Sequence, residues 1–389
     1  MSGTFRQCEL AVLGLGAMGL SALHAAARRG VDVIGIDRFT PPHDKGSTHG
    51  ETRLIREAYS EDARYIPLLR RAMALWREWA ATFGGEVYHE TGVQYFGPAD
   101  HPDIRAVRAS ADAYDIPLLR ESTEAPGFDV PAGWDHFHEL CGGYLAVEDV
   151  LAKLLARGKA LGATVRTGKA IHRTVHENGR WRLDMEDETI HAARVIFTPG
   201  PWAAELIPDL APHLVLERHT QHWLEAPADS RFTRAAGFRP FVAHLPGGEM
   251  YYGFPQDAAG LVKIAEHCHG RRFQRWEEMD RAITDADRAP ILAFRNRHAP
   301  DLGPIRRSVS CMYTMSPDGH FILGRHPADV RSALLAGLSG HGYKFAPVMG
   351  DILLALALGE DPGFDLTLFS PGRFTGTKGS GGPASGAKH

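Results

Sequence analysis

The sequence predicts an α/β fold of two interwoven domains, one built on a mainly parallel sheet and the other an α+β domain containing an antiparallel sheet. Three observations support this prediction. A strand, a glycine-rich turn, a helix and a second strand open the chain; alternating apolar and polar residues with a hairpin signal lie in its middle; another strand, glycine-rich turn and helix lie near its C-terminus. A chain of 389 residues can hold two domains with real cores.

The N-terminal segment carries a dinucleotide-binding pattern. The apolar run "LAVLGLG" is typical of a buried parallel strand. Gly14, Gly16 and Gly19 then form G-x-G-x-x-G, in which the first glycine permits the turn, the second lets a pyrophosphate approach the backbone, and the third lets the helix pack on the strand. The helix "MGLSALHAAARRG" directs its N-terminus at the diphosphate, which its free N–H groups bind. A Rossmann-type domain is therefore predicted.

The strand "VDVIGID" follows this helix and ends at Asp37, which lies 23 residues after Gly14. This is the interval expected for an acid that accepts hydrogen bonds from ribose hydroxyls. A carboxylate here disfavours a 2′-phosphate and hence NADP, but the pattern alone leaves NAD and FAD open.

The elements after Asp37 favour FAD. An irregular segment precedes the amphipathic helix "ARYIPLLRRAMALWREWAATFGG", and "VYHETGVQYFGP" predicts a strand pair or an edge strand. Glu177-Asn178-Gly179 is a hairpin signal, and the apolar strand "ARVIFTPG" follows it. A cofactor domain assembled from separate pieces suits an FAD protein better than an NAD protein. We predict an FAD-binding domain from residues 1–82, 145–212 and 312–374 and a substrate domain from residues 83–144 and 213–311.

Bulk composition excludes several classes of protein. The net charge of −4 gives no basic footprint for nucleic acid, and no apolar run approaches the length of a membrane span. Cys8, Cys141, Cys268 and Cys311 form no CxxC pair and no zinc spacing, so no metal site is predicted. The N-terminus lacks a secretory pattern, and few unpaired cysteines suit a reducing compartment, so we expect a cytoplasmic protein. The Gly/Ser-rich tail, 375–389, is expected to be disordered.

Four motifs then occur in order along the chain: "GSTHGETRLIREAYSED", "YYGFP", "CMYT" and "GLSGHGYKF". On these motifs, and from about Leu10 to Phe374, the chain resembles the family of monomeric sarcosine oxidase and N-methyltryptophan oxidase. The resemblance implies an FAD enzyme that oxidises N-methyl or secondary amino acids to an imine and passes the electrons to oxygen, giving hydrogen peroxide. We accordingly expect a monomer whose partners are a small amino acid and oxygen.

The resemblance also implies a role for Cys311, which precedes Met-Tyr-Thr. In the family, the cysteine at this position is bonded covalently to the 8α carbon of the flavin. A thiolate is a strong nucleophile toward an electron-poor ring, so the bond is chemically reasonable. The residues alone favour a small buried apolar side chain at Cys311, and this is how Cys8, Cys141 and Cys268 are interpreted.

Flavin reduction and oxygen reduction both create negative charge, and an amino acid brings a carboxylate, so the site needs fixed cations. By resemblance, Arg56 and Lys344 bind the substrate carboxylate and Lys263 activates oxygen. The remaining implied site residues are Arg53 near the flavin ring, His49 as an active-site histidine, Tyr252 and His267 on the substrate side, and the turn Gly340, His341 and Gly342 at the flavin pyrimidine.

Local spacing adds further expectations. Arg53 and Arg56 are three apart and would share a face if this segment were helical. Lys263 and His267 are four apart in an apolar strand, so both would point to one face. Thr48 and Glu51 stand where relatives often have His and Asp. Tyr343 replaces a common phenylalanine, and its hydroxyl would need a partner if buried.

The exact substrate stays open at this level. "FDLTLF" and "PPH" favour the N-methyltryptophan branch slightly over the sarcosine branch. Two other functions remain: an FAD-dependent amino-acid dehydrogenase with a different electron acceptor, and a non-catalytic flavoprotein subunit. Lys263 argues against the first, and the charged positions as a group argue against the second.

Overall fold

A computed structural model describes residues 4–59, 61–84, 86–119, 127–228, 230–267 and 270–374 of the chain. Cys268 and the tail 375–389, about which the sequence made predictions, lie outside these residues. The described residues form three sheets and a set of helices, with strands and helices numbered in chain order. The helices are α1 (Ala17–Arg28), α2 (Ile66–Phe83), α3 (Pro102–Ala113), α4 (Glu148–Ala160), α5 (Ala203–Leu206), α6 (Asp285–His298) and α7 (Ala346–Leu358).

The first sheet has eight strands and contains the N-terminal pattern. Its strands are β1 (Thr4–Leu13), β2 (Val33–Asp37), β9 (Thr164–Thr167), β10 (Arg173–Glu177), β11 (Arg180–Asp184), β12 (Glu188–Phe197), β19 (Ile322–His326) and β20 (Asp329–Ala336). The strands β9, β2, β1, β12 and β20 run parallel to their neighbours in this order, and β10 and β11 form the predicted hairpin. The mainly parallel sheet is confirmed.

Both faces of this sheet are covered, which explains the continuous apolar run in β1. Leu10 and Val12 pack on the side of α1, α4 and α7, whereas Ala11 and Leu13 pack against an opposite cluster that includes Trp181. Alternate residues of a strand point to opposite faces, so a strand covered on both sides needs apolar residues at every position.

The second sheet has nine strands and is mainly antiparallel. Its strands are β5 (Val93–Pro98), β6 (Leu118–Leu119), β7 (Trp134–Glu139), β13 (Val215–Glu225), β14 (Phe241–His244), β15 (Met250–Gly253), β16 (Leu261–His267), β17 (Arg271–Phe273) and β18 (Ile305–Met315). The small third sheet consists of β3 (Thr52–Ile55), β4 (Tyr88–His89) and β8 (Gly143–Ala146).

Two local expectations were wrong. The segment with Arg53 and Arg56 forms strand β3, paired with β8, so the two arginines do not share a helix face. In "VYHETGVQYFGP", β4 and β5 belong to different sheets, and β5 lies between β14 and β7, so it is not an edge strand. In both cases strands distant in the chain determine the pairing. The division into two domains stays a prediction: β8 and β18 cross the boundaries drawn at 144/145 and 311/312.

Candidate active site

A long cavity, here called the cofactor cavity, starts at the glycine-rich turn and ends near Tyr313. It lies where the carboxyl ends of β1, β2, β12 and β20 meet, the position at which open α/β sheets bind ligands. Its lining includes six predicted site residues: Gly14, Gly16, Asp37, Arg53, Gly340 and Gly342. Thr198, Pro199, Lys169, Tyr313, Tyr343 and Leu338 also line it.

The three glycines of the turn have the geometry that the motif requires. Gly14 has φ +90°, which other residues rarely adopt, and a Cβ there would lie 2.4 Å from Thr198 O. A Cβ at Gly19 would lie 1.7 Å from Gly14 O, so the third glycine lets α1 pack directly against the turn. A Cβ at Gly16 would instead meet nothing closer than Thr48 Oγ1 at 3.6 Å, which leaves its backbone open to the cavity.

Asp37 is buried at the end of β2, beside the turn. Its Oδ2 accepts from Leu15 N at 2.6 Å, and its Oδ1 accepts from Phe39 N at 2.7 Å. A carboxylate oxygen has capacity for a further donor. Because Asp37 lines the cofactor cavity, it is available to a ribose hydroxyl.

Cys311 lies in β18, opposite His219 of β13, and is 1 % exposed. Its Sγ is 3.4 Å from Gln221 Nε2, a weak donor–acceptor contact. Tyr313, two residues further on the same face of the strand, reaches the cofactor cavity. The sulfur therefore belongs to the sheet face that borders the cavity, and its covalent bond to flavin stays a prediction.

Cys8 and Cys141 fit the apolar interpretation. Cys8 packs in the cluster that contains Trp181, and burial raises the pKa of its thiol to about 12. Cys141 is partly buried, and burial raises its pKa to about 11. Thiols held in the neutral form are poor nucleophiles.

Arg53 holds the loop that precedes β3. Its guanidinium donates to three carbonyls: Ser47 O at 3.1 Å, His49 O at 2.6 Å and Thr52 O at 2.8 Å. His49 is 5 % exposed, and its Nε2 has no partner among the described residues. Burial and the charge of Arg53 lower the pKa of His49 to about 3, so this imidazole is neutral.

Lys263 occupies the centre of β16, as predicted. Val262 and Ile264 pack in the apolar cluster with α6, which leaves Lys263 on the opposite face. Its Nζ donates to Gly50 O at 2.6 Å and to Thr52 at 2.9 Å (O) and 3.4 Å (Oγ1). Burial and Arg53 lower the pKa of Lys263, whereas these three oxygen acceptors favour the ammonium.

An aromatic cluster lies on the same face of β16, further along the strand. Tyr313 OH is 3.3 Å from His267 Nδ1 and also hydrogen-bonds to Tyr252. His219 stacks on the Tyr313 ring at a centroid distance of 3.8 Å. Burial lowers the pKa of His267 to about 3, so it is neutral and able to accept or donate a hydrogen bond. The predicted pair Tyr252 and His267 is thus brought together by Tyr313.

Arg56, Glu61 and Lys344 form a second cluster, here called the carboxylate site. Arg56 Nη2 binds Glu61 in a forked contact at 2.9 and 3.1 Å, and Arg56 Nη1 donates to Ala58 O. Lys344 Nζ donates to His341 O at 3.0 Å. Both cations are less than a tenth exposed. Burial opposes the ionisation of Glu61, but Arg56, His341 and Lys344 outweigh it and lower the pKa to about 2.

Tyr59 joins these groups. Its ring lies 4.8 Å from Arg56 Cζ and 4.9 Å from Lys344 Nζ, and its hydroxyl is 2.5 Å from His341 Nδ1. The side chain of His341 is therefore directed at the carboxylate site, while the neighbouring Gly340 and Gly342 line the cofactor cavity. The turn between β20 and α7 connects the two sites.

Two departures from the family pattern have clear partners. Glu51 Oε2 accepts from Trp223 Nε1 at 2.9 Å, and Oε1 forms an ion pair with Arg307. The Tyr343 hydroxyl donates to Ala146 O at 2.6 Å, which satisfies the requirement predicted for a buried phenol.

Sequence reasoning missed Glu61, Tyr59 and Tyr313 as site residues. Tyr59 and Glu61 stand in the quoted motif "REAYSED", and Tyr313 stands in "CMYT". The available signal was an aromatic or acidic residue inside a motif already assigned to the site. Their contacts depend on strands that are distant in the chain, which residue spacing does not give.

The cofactor cavity fits FAD. One end has the glycine turn and Asp37 for a dinucleotide; the other end has bare backbone at Gly340, where a Cβ would lie 2.4 Å from the Tyr313 ring. A flavin ring can come close to backbone N–H groups where glycine leaves the backbone without a side chain. A profile of the "FAD dependent oxidoreductase" (DAO) family matches residues 9–356. The chain belongs to the FAD dependent oxidoreductase family. It is an FAD-dependent enzyme of the oxidoreductase class, and the predicted cofactor is confirmed.

Curated members of this family resemble the chain along almost its whole length. N-methyl-L-tryptophan oxidase of Salmonella heidelberg (strain SL476) is 33 % identical over 373 residues, covering 94 % of this chain and 99 % of the relative. The protein of the same name from Salmonella typhimurium has the same identity and coverage. The predicted family resemblance is confirmed.

Solved structures confirm the fold. NikD, described as an unusual amino acid oxidase essential for nikkomycin biosynthesis, superposes with a TM-score of 0.82 at 21 % identity, covering 94 % of this chain and 98 % of NikD. Glycine oxidase from Geobacillus kaustophilus gives 0.78 at 17 % identity, covering 95 % and 99 %. Within the described part of the chain, no helix combines the length and apolar character needed to cross a membrane. The monomeric state and cytoplasmic location stay predictions.

Proposed function

We propose that this FAD enzyme is an oxidase of N-methyl or secondary amino acids, that N-methyl-L-tryptophan is the first substrate to test, and that oxygen is the electron acceptor. The observation that carries the proposal is the carboxylate site. Arg56 and Lys344 are buried cations beside the cofactor cavity, and Arg56 already binds a carboxylate, that of Glu61, through a forked contact. A substrate carboxylate has the same charge and shape as this group.

Substrate binding would exchange one carboxylate for another. Glu61 is five residues from Arg56, in the loop between β3 and α2, and its side chain is partly exposed. When the substrate carboxylate takes its place, Arg56 and Lys344 stay neutralised, so no unpaired buried charge is created. The exchange would hold the amino acid next to the turn that carries Gly340 and Gly342.

The amine has to be neutral to lose a hydride equivalent, because its lone pair stabilises the developing imine. Tyr252, Tyr313 and His267 supply polar groups at the same face as Lys263, where an amine nitrogen can be oriented. FAD held in the cofactor cavity would supply the two-electron acceptor for the substrate C–N unit, and its reduced form would supply these electrons to oxygen. For an N-methyl substrate, the whole reaction consumes oxygen and water and yields the demethylated amino acid, formaldehyde and hydrogen peroxide.

Lys263 would supply fixed positive charge where oxygen is reduced. Its Nζ is anchored by Gly50 O and Thr52 O, which orient the ammonium before the reaction begins. A preorganised cation lowers the barrier for forming a negatively charged oxygen species. Arg53, which lines the cofactor cavity, would favour negative charge on the bound flavin in the same way.

The choice of N-methyl-L-tryptophan rests on the curated relatives that carry this name and on the slight leaning of "FDLTLF" and "PPH". A peroxide-release assay with N-methyl-L-tryptophan, sarcosine and L-proline tests it. We expect peroxide from the N-methylated amino acid and none from N-methyltryptamine, which lacks the carboxylate. Flavin reduction without peroxide would identify a dehydrogenase, and absence of flavin reduction with every amino acid would contradict the proposal.

A further inference from the structure

A second cavity opens beside the loop that precedes β3, the loop whose Gly50 carbonyl accepts a hydrogen bond from Lys263. Its lining includes His49, Gly50, Glu51, Trp223, Arg307 and Val309. Ser47 and Thr48 of this loop and the adjoining Arg53 line the cofactor cavity, whereas His49, Gly50 and Glu51 line the second one, and His43 borders both. We propose that this second cavity is the route by which dioxygen reaches Lys263 and hydrogen peroxide leaves it. The inference rests on the proposed oxidase function.

A row of three side chains connects Lys263 with the surface along this cavity. Lys263, Trp223 and Arg307 lie directly opposite one another on β16, β13 and β18. Directly opposed residues point to the same face of a sheet, so the three form a line. Lys263 Nζ lies 5.4 Å from the Trp223 ring on one side, and Arg307 Cζ lies 3.9 Å from it on the other. Lys263 and Trp223 are buried, at 3 % and 1 % exposure, whereas the Arg307 side chain is 45 % exposed.

The inner end of the cavity touches the surroundings of the ammonium itself. Gly50, which lines the cavity, is the residue whose carbonyl accepts from Lys263 at 2.6 Å. His49 lines it as well, and its buried Nε2 has no hydrogen-bond partner among the residues described. A neutral imidazole nitrogen in this position suits a small polar guest such as water or hydrogen peroxide.

The outer end is bordered by an ion pair. Glu51, whose backbone φ is +69°, contacts both Arg307 and Trp223. A small neutral molecule can pass an ion pair that a charged amino acid would disrupt. Because none of the carboxylate-site residues Arg56, Glu61 and Lys344 lines the second cavity, such a route would admit oxygen while the amino acid or its product is still bound.

Val309 offers a way to block the route. It is partly buried, lies two residues before Cys311 and lines the cavity next to Arg307. We expect Val309→Trp to slow the reoxidation of the reduced holoenzyme by oxygen about tenfold, because a narrowed cavity makes the access of oxygen to Lys263 rate-limiting. Anaerobic reduction by substrate should be unchanged. Val330→Trp, on a side chain that is 66 % exposed in β20, is the matched control and should change neither rate.

A readout independent of turnover uses oxygen as a paramagnetic probe on the oxidised holoenzyme. Dissolved oxygen should relax the Val309 methyl and Trp223 indole resonances more strongly than the methyls of Val242, which is 2 % exposed in a different cluster. In Val309→Trp the effect at Trp223 should fall. Equal relaxation at Trp223 and Val242, or an unchanged reoxidation rate in Val309→Trp, would overturn the route. Reduced wild-type enzyme that does not react with oxygen would instead overturn the oxidase function, whatever the resonances show.

Discussion

Lys263 is buried, and its hydrogen bonds to the described residues go to neutral oxygen acceptors and not to a carboxylate. Nζ donates to Gly50 and Thr52, and its aromatic neighbours Phe254 and Trp223 lie 4.9 and 5.4 Å away. A cation arranged in this way remains available to a new negative charge. The role assigned to Lys263 is therefore specific to the half-reaction in which oxygen is reduced.

Lys263→Met should slow reoxidation of the reduced flavin by about a hundredfold, a loss typical of removing one preorganised electrostatic group. Anaerobic reduction by the amino acid should change far less. Stopped-flow absorbance of the two half-reactions measures both. Equal losses in the two halves would contradict the assigned role and indicate a general disturbance of the site.

Cys311 is expected to hold the flavin through its sulfur. Cys311→Ser should bind FAD reversibly, so acid precipitation should leave the yellow colour in the supernatant, whereas in the wild type the colour should stay with the pellet. Cys141→Ser is the matched control, since Cys141 is partly buried and is not among the residues that line the cofactor cavity. Colour released from both wild type and Cys311→Ser would show that no covalent bond forms.

Lys344 gives the carboxylate site a pH dependence near neutrality. Burial and Arg56 lower the pKa of Lys344 to about 7, so its charge is present below that pH and is lost above it. Acetate, an unreactive carboxylate, should bind more weakly as the pH rises through 7. Glu61 stays ionised in this range, since its pKa is about 2, and His341, with a pKa of about 4, stays neutral.

Lys344→Met should weaken acetate binding by about tenfold below pH 7, as expected for one charge-assisted hydrogen bond. Perturbation of the visible flavin absorption measures this binding. Burial raises the pKa of Glu139, behind Arg56, to about 7, so any pH dependence left in the variant reports Glu139. An undiminished pH dependence in Lys344→Met would assign the effect to Glu139 and refute the role of Lys344.

At the scale of the elements, the contact between β1 and α1 fixes the start of the cofactor cavity. Gly19 allows α1 to approach the turn so closely that a Cβ would overlap Gly14 O. The N-terminus of α1 then lies beside the glycine backbone, where its free N–H groups can meet a diphosphate. Elsewhere in the same layer, α4 also contains a glycine, Gly158, but there a Cβ would have ordinary contacts with Leu23 at 3.5 Å.

Gly19→Ala should lower the free energy of unfolding by about 1–3 kcal/mol, a typical effect of overpacking, and should weaken FAD retention. Gly158→Ala is the matched control: it adds the same methyl group to a neighbouring helix and should be neutral or stabilising by up to about 1 kcal/mol. Thermal unfolding with and without added FAD measures both. Equal stability of the two variants would contradict the close packing of α1 against the turn.

At the scale of the whole molecule, the patterns that short sequence windows contain were predictable. The strand–turn–helix at Gly14, the hairpin at Asn178 and the strand carrying Lys263 each depend on neighbours in the chain. Strand β3 was not predictable in this way, because the spacing of Arg53 and Arg56 fits a helix as well as a strand and only pairing with β8 decides it. The row formed by Lys263, Trp223 and Arg307 likewise requires the register of three strands.

The architecture brings distant segments to one place. The loop before β3, the strands β13, β16 and β18, and the turn before α7 all meet at the end of the cofactor cavity. The loop before β3 anchors Lys263, β16 supplies Lys263 itself, and the turn before α7 supplies Lys344 and the glycine backbone that lines the cavity. Their joint action, in which an amino acid bound at Arg56 and Lys344 reduces FAD, is the central claim.

Anaerobic mixing of the purified holoenzyme with N-methyl-L-tryptophan tests this claim most directly. We expect the visible flavin band to bleach with the amino acid, to remain with N-methyltryptamine, and to return when oxygen is admitted. A flavin band that the amino acid leaves unchanged, or that both compounds bleach equally well, would contradict it.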